Sequence, residues 1–97
     1  MKLFRIYQDI NRGYDTYDSA VVAAPDAEAA RRISPDSFRE WDAERSTWLF
    51  CFADGTKQPD ADFSSWAPHP DNVGVQYIGE ADDKVPAGVV LASFNAG

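Results

Sequence analysis

The sequence contains only one cysteine, Cys51, and only one histidine, His69. A single cysteine excludes an internal disulfide and any zinc site built from several cysteines. Since secreted domains of this size usually carry disulfides, we expect a cytoplasmic protein. The amino terminus also lacks the basic, apolar and small segments of a signal peptide, and no apolar run approaches the roughly 20 residues of a membrane span.

Basic side chains are scarce as well. Lysine and arginine together number 9, against 16 acidic residues, which gives a formal net charge of −7. Nucleic acids and anionic membranes bind through a positive surface, so we expect neither as a direct partner. The chain nevertheless has 44% hydrophobic residues in a length of 97, enough for one compact core. We therefore interpret residues 1–97 as a single domain.

Hydropathy patterns predict strands near both ends of the chain. In the first of them, Phe4, Ile6 and Gln8 fall on one face of an extended segment. Residues 9–18 are rich in turn-forming types. Asp26 is a candidate N-cap for a helix that ends before Ser34-Pro35. The predicted strands are residues 2–8, 19–24, 47–52, 73–80 and 89–94, of which the last two are expected to form a hairpin.

This order, β-β-α-β-β-β, indicates an α+β fold in which one short helix packs on one face of an antiparallel sheet of four to five strands. One such helix cannot cover that sheet alone. We expect the insertion at about residues 36–65, or a partner, to bury the remaining aromatic surface. Trp41, Trp48 and Trp66 are interpreted as core residues, with an exposed aromatic patch as the alternative.

Two segments resemble a family of small uncharacterised proteins found in phages, prophages and bacterial genomes. The first is residues 11–24, NRGYDTYDSAVVAA, followed by Glu28-Ala29-Ala30-Arg31. The second has a lead-in from Trp66 to Pro70, then VQYIGEA at 75–81 and GVVLASFNAG at 88–97. The match covers roughly residues 1–34 and 66–97, so the middle of the chain is a variable insertion. The resemblance implies a small phage-borne protein, a class that includes many inhibitors of host defence, and it carries over no functional residue.

Residues that carry catalysis or bind metals are isolated in this sequence. His69 lies between two prolines and Cys51 lies inside an apolar strand, with no motif that would make either a catalytic group. Aspartates in two turns can supply oxygen ligands to a divalent cation, although such turns are usually solvated; the pairs are Asp15 with Asp18 and Asp60 with Asp62. The glycines lack phosphate-binding spacing. We therefore expect no enzyme activity, catalytic residue, cofactor or metal site.

The candidate binding residues are Tyr14, Asp15, Tyr17, Asp18, Glu40, Asp42 and Glu44. The first four form a loop in which aromatic anchors and carboxylates can face a protein partner. Alternatively, one tyrosine packs on the sheet and the aspartates only form turns. The last three belong to an acidic stretch that either imitates a phosphate backbone at a basic groove or only confers solubility.

These features favour a non-enzymatic binding protein of phage type, acting in the host cytoplasm. The leading hypothesis is an inhibitor of a bacterial defence system, similar to an anti-CRISPR protein, that docks on a basic site of a host protein or complex, including nucleic-acid-handling ones. A second hypothesis is capture of a small nucleotide signal, with phosphates bound by Arg5, Arg12, Arg31 and Arg32. A third is an assembly role, as a homodimer or larger oligomer paired through the last strand.

Overall fold

A computed structural model of the protein describes residues 1–36, 38–60 and 65–95. These residues form two antiparallel sheets, one α-helix and one short 3-10 helix, which confirms the predicted α+β class. The four-stranded sheet has the order β6-β1-β2-β7, and the three-stranded sheet has the order β3-β4-β5. The elements are β1 (Lys2–Tyr7), β2 (Thr16–Ala24), α1 (Ala27–Arg31), β3 (Arg39–Asp42), β4 (Thr47–Cys51), β5 (Lys57–Pro59), the 3-10 helix (Pro70–Asn72), β6 (Gly74–Glu80) and β7 (Gly88–Asn95).

The central pair of the larger sheet follows the predicted alternation. Phe4 and Ile6 of β1 are buried and lie opposite Val22 and Ala20 of β2, respectively. We call the face that carries these four residues the inner face. Side chains at alternate positions of β1, such as Arg5, point to the other side, the outer face. The period of two in the sequence thus sets which surface of the sheet meets the core.

The prediction that the last two strands form a hairpin is wrong. β6 pairs with β1 and β7 pairs with β2, so the two strands lie at opposite edges of the sheet. Residues 81–87 connect them across one end of the sheet, where the Ala81 N–H donates to the carbonyl of Met1. Seven extended residues reach about 23 Å, whereas three strand spacings amount to only about 14 Å. The linker is therefore long enough for the β1–β2 hairpin to occupy the centre.

Residues 38–60 of the expected insertion fold as the three-stranded sheet. Only its central strand, β4, coincides with a predicted strand. In β3 the charged residues Glu40 and Asp42 conceal the strand pattern, and β5 has only three residues, all of them exposed. The β3–β4 turn is closed by the Asp42 carboxylate, which accepts the N–H groups of Glu44 at 3.0 Å and Arg45 at 3.4 Å.

Helix α1 begins as predicted, because the Asp26 carboxylate accepts the Ala29 N–H at 2.8 Å. Its buried residue, Ala30, packs in one cluster with the inner face of the larger sheet. Ile33 closes the last turn through a hydrogen bond from its N–H to the Ala30 carbonyl. The chain then leaves the helix before Pro35, as the sequence predicts.

Tryptophans join the smaller sheet to the same core. Trp48 and Trp66 are buried, and the indole N–H of Trp48 donates to the Ala67 carbonyl at 2.9 Å. Trp41 is half-buried and packs edge-on against Trp48, with 5.2 Å between ring centroids. The prediction that the tryptophans enlarge the core is thus confirmed. The smaller sheet packs on this core through Trp48 of β4.

Candidate functional site

The connection between β1 and β2, residues 8–15, is organised by the side chain of Gln8. Gln8 is only 6% exposed. Its amide nitrogen donates to the carbonyls of Asn11 and Tyr17, both at 2.7 Å. Its amide oxygen accepts the N–H groups of Ile10 and Asn11, both at 2.9 Å. One side chain therefore makes four hydrogen bonds to the backbone on both sides of the loop.

Further hydrogen bonds hold the same loop internally and against neighbouring segments. Thr16 Oγ1 donates to the Gly13 carbonyl at 2.7 Å. The contacts to other segments are Asn11 Nδ2 with the Trp66 carbonyl at 2.7 Å, the Tyr17 N–H with the Ser65 carbonyl at 2.8 Å, and the Asp15 N–H with the Asn95 carbonyl. The loop is thus fixed between the segment preceding the 3-10 helix and the end of β7.

On this fixed loop Tyr14 is 78% exposed, more than any other large hydrophobic residue of the described part of the chain. Asp15 follows it with φ +60°, a left-handed conformation that aspartate tolerates better than most residues. Asp9 is exposed at the start of the loop, and Asp18 is exposed just after it in β2. This region therefore exposes an aromatic ring with a hydroxyl group and three carboxylates on one short segment of the chain.

The other tyrosine of the predicted site has a different position. Tyr17 is half-buried and packs against Phe94 of β7, with 4.7 Å between ring centroids. It also contacts the core cluster. Of the four loop residues selected from the sequence, Tyr14, Asp15 and Asp18 face solvent, whereas Tyr17 fixes the loop to the sheet.

A cavity of about 310 Å³ lies beside the loop. The ring of Tyr7 covers Gly74 of β6, and a Cβ atom at Gly74 would lie 2.2 Å from Tyr7 Cε2. The Arg5 guanidinium lies over the Tyr7 ring, 4.6 Å from the ring centroid. The cavity is lined by Arg5, Tyr7, Gln8, Asp9, Asp18, Ser19, Asn72 and Gly74.

The arginines of the nucleotide hypothesis are distributed over different parts of the molecule. Arg5 shares its cavity with two aspartates, which repel phosphate. Arg31 donates to the Val73 carbonyl at 3.0 Å and lies 3.4 Å from Glu28. Arg32 lines a separate cavity with Arg39. Within the described part of the chain, these arginines therefore do not come together to form a phosphate-binding site.

The second predicted group, Glu40, Asp42 and Glu44, lies on the smaller sheet. Glu40 accepts a hydrogen bond from Lys57 Nζ at 2.8 Å, and this bond, together with the carboxylate charge, raises the pKa of Lys57. Asp42 closes the β3–β4 turn and lies 3.6 Å from Arg45. Glu44 is exposed in that turn. Two of the three carboxylates thus have cationic partners within the sheet.

Sequence reasoning missed an aromatic patch on the smaller sheet. Phe38 and Phe52 are exposed, and both pack against Phe50. Arg39 lies over the Phe50 ring at 4.5 Å from its centroid. The sequence does contain a signal for this patch, because aromatic residues at every second position (Trp48, Phe50 and Phe52) share one face of an extended strand. Only Trp48 reaches the core, so the other two aromatics remain at the surface.

The isolated histidine and cysteine have structural surroundings. His69 caps the 3-10 helix, where its Nδ1 accepts the Asp71 N–H at 3.0 Å, and its ring packs against Trp41. Cys51 is half-buried at the end of β4. Asp60 lies 2.8 Å from Arg39, while Asp62 falls outside the described residues. Within the described ranges no group of three or more potential metal ligands is found.

Comparisons with protein-family models, with curated proteins and with solved structures find no match to this chain. No helix in residues 1–36, 38–60 and 65–95 has both the length and the apolar character needed to cross a membrane. The function is therefore argued from the geometry of the loop.

Proposed function

We propose that the protein is a non-enzymatic binding module that inserts Tyr14 into a basic site on a partner protein. The observation that carries this proposal is the exposure of Tyr14 on a loop whose backbone is fixed by the Gln8 hydrogen bonds. Asp15 and Asp18, exposed in the same region, supply hydrogen-bond acceptors and negative charge.

Preorganisation is the physical reason why such a loop suits recognition. Binding by a mobile loop must first overcome the entropy of ordering it, and this loop is already ordered by hydrogen bonds on both sides. Tyrosine is enriched among the residues that dominate binding energy, since it offers a large apolar ring and a hydroxyl group with few rotatable bonds. Tyr14 combines these properties with nearly full access to a partner.

Charge favours a basic partner. The net charge of −7 gives a long-range attraction that accelerates association with a positive surface. The resemblance of both chain ends to small phage proteins supports a host-defence target, so the proposed partner is a defence complex with a nucleic-acid-binding groove, as for anti-CRISPR proteins. The proposed site of action is accordingly the cytoplasm of the infected cell.

The proposal is tested by plating a phage on a host whose defence system targets it, across a panel of CRISPR and other systems. Expression of the wild-type protein should restore plating with at least one system. Tyr14→Ala should weaken affinity for the target by about 30-fold, as expected for a dominant contact worth about 2 kcal/mol. Phe38→Ala is the matched control, since Phe38 is also exposed but lies on the smaller sheet.

Salt dependence provides the second readout. Raising the ionic strength from about 0.05 M to about 0.5 M shortens the Debye length and should slow association with the isolated target. Equal activity of the Tyr14→Ala variant and the wild type would contradict the assigned contact. Failure to restore plating against any system would contradict the defence target.

A further inference from the structure

The two sheets have four edge strands in the described part of the chain, namely β3, β5, β6 and β7. Natural proteins protect exposed edges with charges, prolines or bulges, because an unpaired edge offers hydrogen bonds to any other strand. β3 contains three charged residues, and β5 contains Lys57 and Pro59. β6 ends at Glu80 and has an irregular register beside Gly79. Only β7, with the sequence GVVLASFN, has neither a charge nor a proline.

Apolar side chains of β7 are also exposed to an unusual degree. Leu91 is 68% exposed and Val90 is 53% exposed, although both lie within a strand of eight residues. Phe94 is partly exposed near the carboxyl end of the same strand. Its protection is limited to a bulge at Val90. An apolar edge that lacks charge and proline either causes aggregation or is covered by a specific partner strand.

We propose that β7 pairs in antiparallel fashion with β7 of a second copy, so that two four-stranded sheets become one continuous sheet of eight strands. A two-fold axis then relates the copies, and each strand supplies the same uncharged sequence to the other. A bulge leaves Val90 without a partner on β2, while Leu91 to Ser93 pair regularly with Val21 to Ser19. The pairing is therefore centred on Ser93, at the end of this regular stretch, so that each Ser93 lies opposite Ser93 of the second copy.

Charge distribution is the reason for choosing a second copy and this orientation. Two chains of net charge −7 repel each other, and this repulsion is smallest where the contacting strand itself carries no charge, as in β7. The turn before β7 contains Asp82 and Asp83. Antiparallel pairing places the two copies of this turn at opposite ends of the interface, separated by more than about 20 Å, well beyond the Debye length of about 8 Å in physiological salt.

The expected association is reversible. A single pair of strands buries less than the about 1,200 Å² of a standard stable interface, so the dimer fraction should rise with protein concentration. Sedimentation equilibrium or light scattering of the purified chain should show a mass approaching twice 10.7 kDa. Leu91→Lys should shift the protein to the monomer. Ile78→Lys, at a residue 48% exposed on the opposite edge strand β6, should leave the dimer unchanged.

A second variant separates loss of pairing from loss of folding. Ser93→Lys changes an exposed residue of the same edge and should also give a folded monomer, as judged by circular dichroism. In a Cys51→Ala background, Ser93→Cys should form a disulfide between two chains.

Three results would overturn the proposal. They are a wild-type monomer at about 1 mM chain, a dimer that persists in both folded lysine variants, and a monomer that binds only a foreign strand at β7. The Tyr14→Ala variant should remain dimeric, so failure of this inference and failure of the proposed target binding are distinguishable.

Discussion

Replacing Gln8 with leucine removes all four hydrogen bonds of its amide group while keeping an apolar body of similar size. The substitution leaves two N–H groups and two carbonyls of the loop without their partner. At about 0.5–1.5 kcal/mol for each net hydrogen bond, the total lies between about 2 and 6 kcal/mol. Water can reach part of the loop, since Ile10 is exposed. We therefore expect a loss of about 2–4 kcal/mol in the free energy of unfolding.

Urea denaturation measures this loss directly. With a slope of about 1–2 kcal/mol per molar urea, the unfolding midpoint should fall by at least about 1 M. Gln58→Leu is the matched control, because Gln58 lies exposed on β5 and should change the midpoint only slightly. An unchanged midpoint for Gln8→Leu would refute the assignment of Gln8 as the organiser of the loop.

Gln8→Glu adds a test with a defined pH dependence. Its carboxylate would face the carbonyls of Asn11 and Tyr17, which accept rather than donate hydrogen bonds. The N–H groups of Ile10 and Asn11 would still favour the charged form through the other oxygen. Burial at 6% exposure acts with the two carbonyls against it, so we expect the folded state to raise the pKa of the new carboxyl group above its unfolded value of about 4.3. Protonation then favours folding, so the variant should be closest to the wild type below that value and lose stability as the pH rises through the higher, folded-state pKa.

Three further predictions concern other parts of the fold. Gly74→Ala should cost about 1–3 kcal/mol by displacing the Tyr7 ring, and Tyr7→Ala in the same chain should recover most of that loss in a urea double-mutant cycle. Trp48→Phe should cost about 1–3 kcal/mol in thermal unfolding, because the Ala67 carbonyl loses its donor. The side-chain hydroxyl and backbone N–H of Thr56 lower the pKa of Asp54, so the turn keeps these bonds above the ordinary value of 3.8 and loses them as the pH falls through the lower folded-state pKa. Thr56→Val should return the Asp54 pKa toward 3.8 in an NMR titration, and an unchanged pKa would contradict the hydroxyl contact.

Local patterns were sufficient for much of the larger sheet. The alternation of Phe4 and Ile6 predicts which face of β1 is buried, and Asp26 marks the start of α1. The order of the strands was not predictable in the same way. A hairpin of β6 and β7 satisfies every local preference, but the apolar β1–β2 pair takes the centre of the sheet and separates them.

The smaller sheet and the loop show why the rest could not be derived from the sequence. β3 is held by pairing with β4, which outweighs the weak strand propensity of Glu40 and Asp42. At the candidate site, the sequence alone does not distinguish the role of Tyr14 from that of Tyr17. Only the register of β2 against β7 places Tyr17 against Phe94 and leaves Tyr14 outside. The part played by Gln8 depends on contacts with residues up to nine positions away.

In the β1–β2 loop, the residues that fix the backbone are different from the residue proposed to contact the partner, and this affects how binding specificity can change. The loop is shaped by Gln8, Asn11 and Thr16, whereas the exposed ring of Tyr14 is not among the groups that hold it. Tyr14 can therefore be exchanged with little effect on folding. New partners would become accessible through one or two substitutions, which makes the loop a suitable position for selecting altered binders from a library.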